Sequence, residues 1–286
     1  MSKSGLAHRI ACVLEPRVLR AANFITSVSS TQNADMAARY TWLYKERMAA
    51  IPIGGDPDDF AALRFAQSRE ELLGEEADFI DLSYVGTFWP RAEATFRTLF
   101  RAFARLRSTE PIIAARIRLN FVGTNCQLSD AVTSCVRSIA ASEGVEDVVR
   151  EVPRVPYLRA LNWLVRSHGL LLIGSDEPHY TASKIYPALM SGTPFLSLFH
   201  RRSSAHAILA AAGGGRALSF DSGQELASLE VPLAQALKTL TCTPDLFGAA
   251  DPAVYGSYCA EAIAAHFAEI FNQLEKENDD AIALQE

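Results

Sequence analysis

The chain has 286 residues, 49% hydrophobic and 21% charged, with a formal net charge of -6. This is an ordinary globular composition with ample apolar material for a core. The acidic balance and the lack of a dense Lys/Arg run argue against a nucleic-acid binder. Five scattered cysteines (Cys12, Cys126, Cys135, Cys242, Cys259), an odd count with no CxxC pair, argue against a disulfide framework or zinc site and point to a reducing compartment. No apolar run approaches a membrane span, and the start MSKSGLAHRIACVLEP carries charge and proline where a signal-peptide core would lie. The expectation is a cytoplasmic chain. Charge is uneven: residues 1–50 hold seven Lys/Arg against three acids. That stretch reads either as a solvated surface or as a basic flank leaning toward an anionic membrane, giving peripheral contact.

In chain order, residues 5–22 read as a helix interrupted or kinked at Pro16. A short β-rich run follows at 24–30, a helix from Thr31 to Tyr40, and a short strand at 49–53 that ends in the turn GGDPDDF. From residue 79 a regular β-α alternation begins. Strands are expected at 79–86, 117–123, within VEDVVREV, and at 169–175, 193–199 and 216–220. Helices are expected at 91–107, 128–143, 155–168, 183–192, 202–213, 223–240 and 251–275, with a loose tail after Asn278. GLLLIGS (169–175) is almost purely apolar, as suits the buried middle of a parallel sheet. The fold class is therefore α/β: a Rossmann-like parallel sheet with helices on both faces, plus a small α/β remnant in front. The expected domains are a remnant at 1–53, a linker at 54–78, a Rossmann-like domain at 79–250, and a C-terminal helix and tail at 251–286.

In such sheets the ligand sits beyond the carboxyl ends of the strands, which here are Gly86, Gly123, Ser175 and His200. The turn at Gly86 and Thr87, near Arg91, lets a ligand approach the backbone ahead of a helix N-terminus that suits phosphate. The second candidate is the polar loop after residue 175, with His179, Tyr180, Thr181, Ser183 and Lys184 just before a helix. Thr181 or Ser183 is expected to cap that helix, and Lys184 adds a cation beside its amides, so a diphosphate would be held there. Arg201 and Arg202 read equally as a phosphate contact or a solvated turn. No GxGxxG, GxxxxGK[ST] or GxSxG motif occurs, which disfavours a dinucleotide oxidoreductase, a P-loop NTPase and an α/β-hydrolase. Histidine spacing offers no metal site.

In order and spacing, several segments together resemble the group 1 glycosyltransferases, retaining enzymes of the two-domain GT-B type. IPIGGDPDDF (51–60) is similar to the family's interdomain segment. YVGTFWPRAEATFRTLFRAFARL (84–106) is similar to the first strand and helix of its donor domain. VPYLRALNWLVRSHGLLLIGS (155–175) and SGTPFLSLF (191–199) are similar to the stretches around its donor loop. The resemblance implies a glycosyltransferase, of the hexosyltransferase kind, with a nucleotide-diphosphate sugar as donor substrate, no cofactor or metal, and a glycan or lipid-linked acceptor. Two glutamates of many relatives fall on His179 and Pro187, so the ribose contact is not carried over, and the Ser183-Lys184 wording resembles a subgroup of these transferases. It implies donor binding by Gly86, Thr87, Arg91, His179, Tyr180, Thr181, Ser183 and Lys184, with catalytic groups unassigned. Residues 1–50 resemble only the last elements of the acceptor domain, and most of a domain of about 100–150 residues is expected to be missing. Two alternatives stay open: a non-catalytic module that docks onto a separate acceptor domain, and a sugar-nucleotide epimerase with His179 or His200 as base.

Overall fold

The structure, a computed structural model, describes residues 3–65, 72, 79–124, 135–178 and 180–283. It divides into two compact units, Met1–Ile53 with Ala260–Glu286, and Gly54–Cys259.

The first unit opens with helix α1 (Lys3–Ala21), which runs through Pro16, where the sequence predicts an interruption or a kink; the helix is not interrupted. A proline removes one ladder donor, here the one that would reach the Cys12 carbonyl. Strong helix formers on both sides hold the rest of the ladder. Strand β1 (Ile25–Ser27), helix α2 (Ser30–Arg39) and strand β2 (Met48–Ala50) follow. The two strands pair in parallel, with Ile25 opposite Met48. Ser29 caps α2, its hydroxyl accepting from the Gln32 amide at 3.2 Å.

The second unit begins with short helix α3 (Pro57–Ala61), capped by Asp56. Then come β3 (Ile80–Val85), α4 (Glu93–Thr109), α5 (Pro111–Ala114), β4 (Ile117–Val122), α6 (Cys135–Ser142) and β5 (Val149–Val152). The chain continues through α7 (Tyr157–Arg166), β6 (Gly169–Ile173), α8 (Ile185–Met190), β7 (Phe195–His200), α9 (Ser204–Ala212) and β8 (Gly215–Phe220). It closes with α10 (Gly223–Ser228), α11 (Glu230–Cys242) and α12 (Pro252–Tyr255). Where the sequence predicts one helix at 223–240, Pro232 has no amide to extend the first, and the chain restarts at Glu230.

All six strands β3–β8 pair in parallel, in the order β5-β4-β3-β6-β7-β8. This is the Rossmann-like sheet that the β-α rhythm predicts. The chain builds outward from β3 in one direction, returns to the middle, and builds outward from β6 in the other. The reversal opens a crevice between the carboxyl ends of β3 and β6, the place where such sheets bind ligands.

Helices cover both faces. On one, Leu82, Tyr84, Leu119, Phe121 and Leu196 pack against Phe96, Phe100 and Phe103 of α4 and Leu233 and Leu237 of α11. Rings of Tyr84, Phe96, Phe100 and Phe121 interlock with centroids 5.1–6.4 Å apart. On the other, Leu170, Leu172, Phe195 and Phe199 meet Leu161 and Leu164 of α7, Ile185 and Leu189 of α8, and Leu209 of α9. At the amino ends of β3 and β4, away from the crevice, buried Asp81 holds Arg118 at 2.7 Å and accepts from the Asn120 amide at 2.9 Å. That charge is kept by full pairing.

Cys135 is disulfide-bonded, where the cysteine pattern predicts free thiols; Cys12, Cys242 and Cys259 are free. The chain's last described helix, α13 (Ala260–Ala283), groups with residues 1–53. The helix expected at 251–275 is thus two, separated by a tight turn at Gly256–Tyr258, and the stretch after Asn278 expected to be loose continues the helix to Ala283. No helix among the described residues is long and apolar enough to cross a membrane.

Candidate functional site

The crevice is built from the turn after β3 and the loop after β6. Gly86 leaves β3 with φ of 151°, a conformation that side-chain-bearing residues rarely adopt. A methyl group there would meet Lys184 Cδ at 3.3 Å. Gly86 and Lys184, which the sequence places on separate loops, are therefore neighbours.

Lys184 occupies the cap position just before α8 and turns inward. Its Nζ donates to the Ile173 carbonyl at 2.7 Å and lies 3.9 Å from the centre of the Tyr84 ring. Burial holds this ammonium well below its ordinary pKa. The Tyr84 hydroxyl, held above its ordinary pKa chiefly by burial, donates to the Thr87 carbonyl at 2.9 Å.

Arg91 bridges the two segments. Its guanidinium donates to Asp176 at 3.0 Å and Glu177 at 2.8 Å, and its carbonyl accepts from the Asp176 amide at 3.3 Å. The sequence expects a cation offered to phosphate, and the fold matches that charge with two carboxylates 85 and 86 positions on. The Thr95 hydroxyl adds a second tie, 2.6 Å from the Gly174 carbonyl.

The rest of the loop is stapled elsewhere. Thr181 bonds Ser204 at 2.7 Å, and the Tyr180 carbonyl accepts from Ser203 at 2.6 Å, both linking the loop to the start of α9. Ser183 is exposed, and no side chain caps α8. The expected Thr181 or Ser183 cap is absent because Thr181 is turned toward Ser204 and the helix starts two residues after Ser183. Tyr180 is half-buried, its phenol raised by burial and then by Glu177. His179 lies outside the described residues. His200 is buried edge-on against Phe220, its Nδ1 accepting from the Arg202 amide at 3.1 Å. Arg201 pairs with Asp221 and Glu225.

Beside the Gly86 turn lies a cavity of about 320 Å³ that runs across the ends of β3 and β4. Val85, Val122 and Val155 give it apolar walls, Gly86, Thr87 and Gly123 give it open backbone, and Arg154 and Tyr157 stand at its edge. Arg154 has no acidic partner among the described residues. Tyr157 donates to Asp59 at 2.7 Å and is pushed up to about 12, first by burial and then by that bond. Neither residue belongs to a sequence motif. The available signal was position, since they follow β5 at the same level of the sheet as Gly86 and Gly123. Apolar walls, the Thr87 amide, which bonds no described residue, and one unmatched guanidinium suit a flat ring that carries phosphate.

No protein-family model matches the chain, and no curated relative does. Solved structures do. The chain is similar to Anabaena HepE, solved with UDP and glucose, at 17% identity and TM-score 0.64, over 96% of this chain and 68% of that one. It is similar to a trehalose 6-phosphate synthase from Burkholderia multivorans at 14% identity and TM-score 0.69, over 98% of this chain and 64% of that one. It is also similar to a sucrose-phosphate synthase from Thermosynechococcus elongatus at 18% identity and TM-score 0.61, over 93% of this chain and 61% of that one. The chain thus spans about two thirds of the length of these neighbours. Likeness at this level of identity shows the fold: an α/β chain with a Rossmann-like parallel sheet, of the kind found in GT-B glycosyltransferases.

Proposed function

We propose that this chain is the donor-binding portion of a glycosyltransferase that moves a sugar, a hexose by the family resemblance, from a nucleotide-diphosphate sugar to a glycan or lipid-linked acceptor. One observation carries the reading: Gly86, at the end of β3 beside the reversal of strand order, borders the cavity that runs across β3 and β4 on one side and Lys184 on the other. The apolar walls take the nucleoside. The diphosphate lies over the turn, where open amides, Lys184 and Arg154 stabilise the leaving group without a metal. Arg91 acts from its ion pairs by holding the two loops at a fixed spacing. The HepE structures with UDP and UDP-glucose support this class of donor. Retention of stereochemistry follows only from the group 1 resemblance and belongs to the same proposal.

Location at the cytoplasmic face of a membrane, where lipid-linked acceptors lie, is part of the reading. Helix α1 supports it, exposing Leu6, Ile10, Val13, Leu14 and Val18 among Arg9, Arg17 and Arg20.

Titration calorimetry with UDP, GDP and ADP tests the reading. Saturable heat with one of them is expected, and none at millimolar nucleotide overturns it. A second reading, a donor-binding module that works only with a separate acceptor half, rests on the share of the neighbours' length that the chain spans. Binding without donor hydrolysis or transfer favours it. Of the two bases that an epimerase could use, His200 is packed against Phe220 with Nδ1 engaged, and His179 lies outside the described residues.

A further inference from the structure

Peptide geometry around Tyr84 carries one more step, which rests on the donor-binding reading above. Tyr84 is 2% exposed and lies on the α4 face of the sheet. Its hydroxyl takes hold of the Thr87 carbonyl from that side at 2.9 Å. A peptide unit is planar and trans, so the Phe88 N–H points opposite to the Thr87 C=O. Thr87, whose carbonyl is so held, lines the cavity together with Val85 and Val122, and Phe88 follows it directly in the chain. Neither the Thr87 nor the Phe88 amide is bonded to another described residue. A chain that leaves two adjacent amides unbonded beside a cavity offers an anion two donors.

We propose that Tyr84 is a positioning residue: by pinning the Thr87 carbonyl it aims the Phe88 amide at the diphosphate of the donor, while its ring holds Lys184 over the same spot. The residue touches no substrate. It acts through a backbone donor and a neighbouring ammonium, so it selects for the diphosphate and leaves nucleoside recognition alone.

Tyr84→Phe separates these parts, because it keeps the ring against Lys184 and the core and removes only the hydroxyl. Calorimetry on the full chain compares UDP with uridine, and GDP and ADP with their nucleosides. The expected result is diphosphate affinity about 3- to 10-fold weaker, as for one lost hydrogen bond, with nucleoside affinity and melting temperature close to wild type. Unchanged diphosphate affinity, or equal loss for nucleoside and diphosphate, overturns the proposal. The wild type gives an independent measurement should the variant fold poorly. The Phe88 amide resonance of 15N-labelled protein shifts on adding UDP and stays still with uridine; a still resonance under UDP overturns the proposal too. If the wild type binds none of the diphosphates, the donor reading itself falls. If it binds them and Tyr84→Phe does so equally, only the role of Tyr84 falls.

Discussion

The two units of the molecule treat apolar surface in opposite ways. In Gly54–Cys259 a six-stranded sheet is covered on both faces, and Phe96, Phe100, Phe121 and Trp163 are essentially sealed from water. In the unit of residues 1–53 and 260–286, the side chains buried among the described residues are those of Ser27, Ser29, Ile51 and Ile270. The same unit leaves Leu6, Ile10, Val13, Leu14, Val18 and Phe271 at least half exposed. Two short parallel strands cannot bury what a complete parallel sheet buries, since such sheets gain stability by being covered on both sides. Folding free energy therefore resides in the larger unit, and the smaller one presents surface.

The sharpest way to break this contrast is to hollow the larger unit. Phe121→Ala should cost about 3–5 kcal/mol in urea unfolding, because its ring sits inside an aromatic cluster with no room to collapse. A cost under about 1 kcal/mol would mean that the cluster is not a core. A second measurement sharpens the contrast at the crevice, where the same unit buries a charge. Burial lowers the Lys184 pKa in the folded state, so the unfolded chain binds that proton more tightly. Wild-type stability should then rise with pH between the lowered folded value and the ordinary value of 10.5. Lys184→Met should lose that rise, read as melting temperature from neutral to alkaline pH. Equal slopes would mean that the ammonium is solvated in the fold. The smallest effect is expected on the exposed face: Leu14→Ser should change stability by no more than about 0.5 kcal/mol. A clearly larger loss in the same unfolding measurement would show that α1 is covered in solution.

Much of the larger unit was legible because burial on both faces leaves a local mark. GLLLI predicts a central strand, and it forms β6, buried along its whole length between β3 and β7. Gly86 and Gly123 predict strand ends where the backbone turns sharply, and both have positive φ. The site was legible in position and not in bonding. Gly86, Thr87 and Lys184 were singled out from their loops, but nothing local announces that Lys184 folds inward onto Ile173 and Tyr84. Arg91 meets Asp176 and Glu177 across 85 and 86 positions of chain, and such pairings follow from topology alone. Arg154 and Tyr157 carry no motif and become notable only once β3, β4 and β5 lie side by side. The break between α10 and α11 falls inside a helix expected to be continuous, although Pro232 marks it, whereas the passage of α1 through Pro16 depends on the strength of its flanks.

Where β6 gives way to the crevice, the floor is set by a contact between two strands. A methyl group on Gly174 would stand 2.3 Å from the Phe199 ring, inside any tolerable contact. The order of change therefore matters: a larger residue at 174 needs a smaller one at 199 first, whereas Phe199 can shrink alone at the cost of a cavity. Anyone reshaping this crevice to accept a bulkier ligand has to take the two sites in that order.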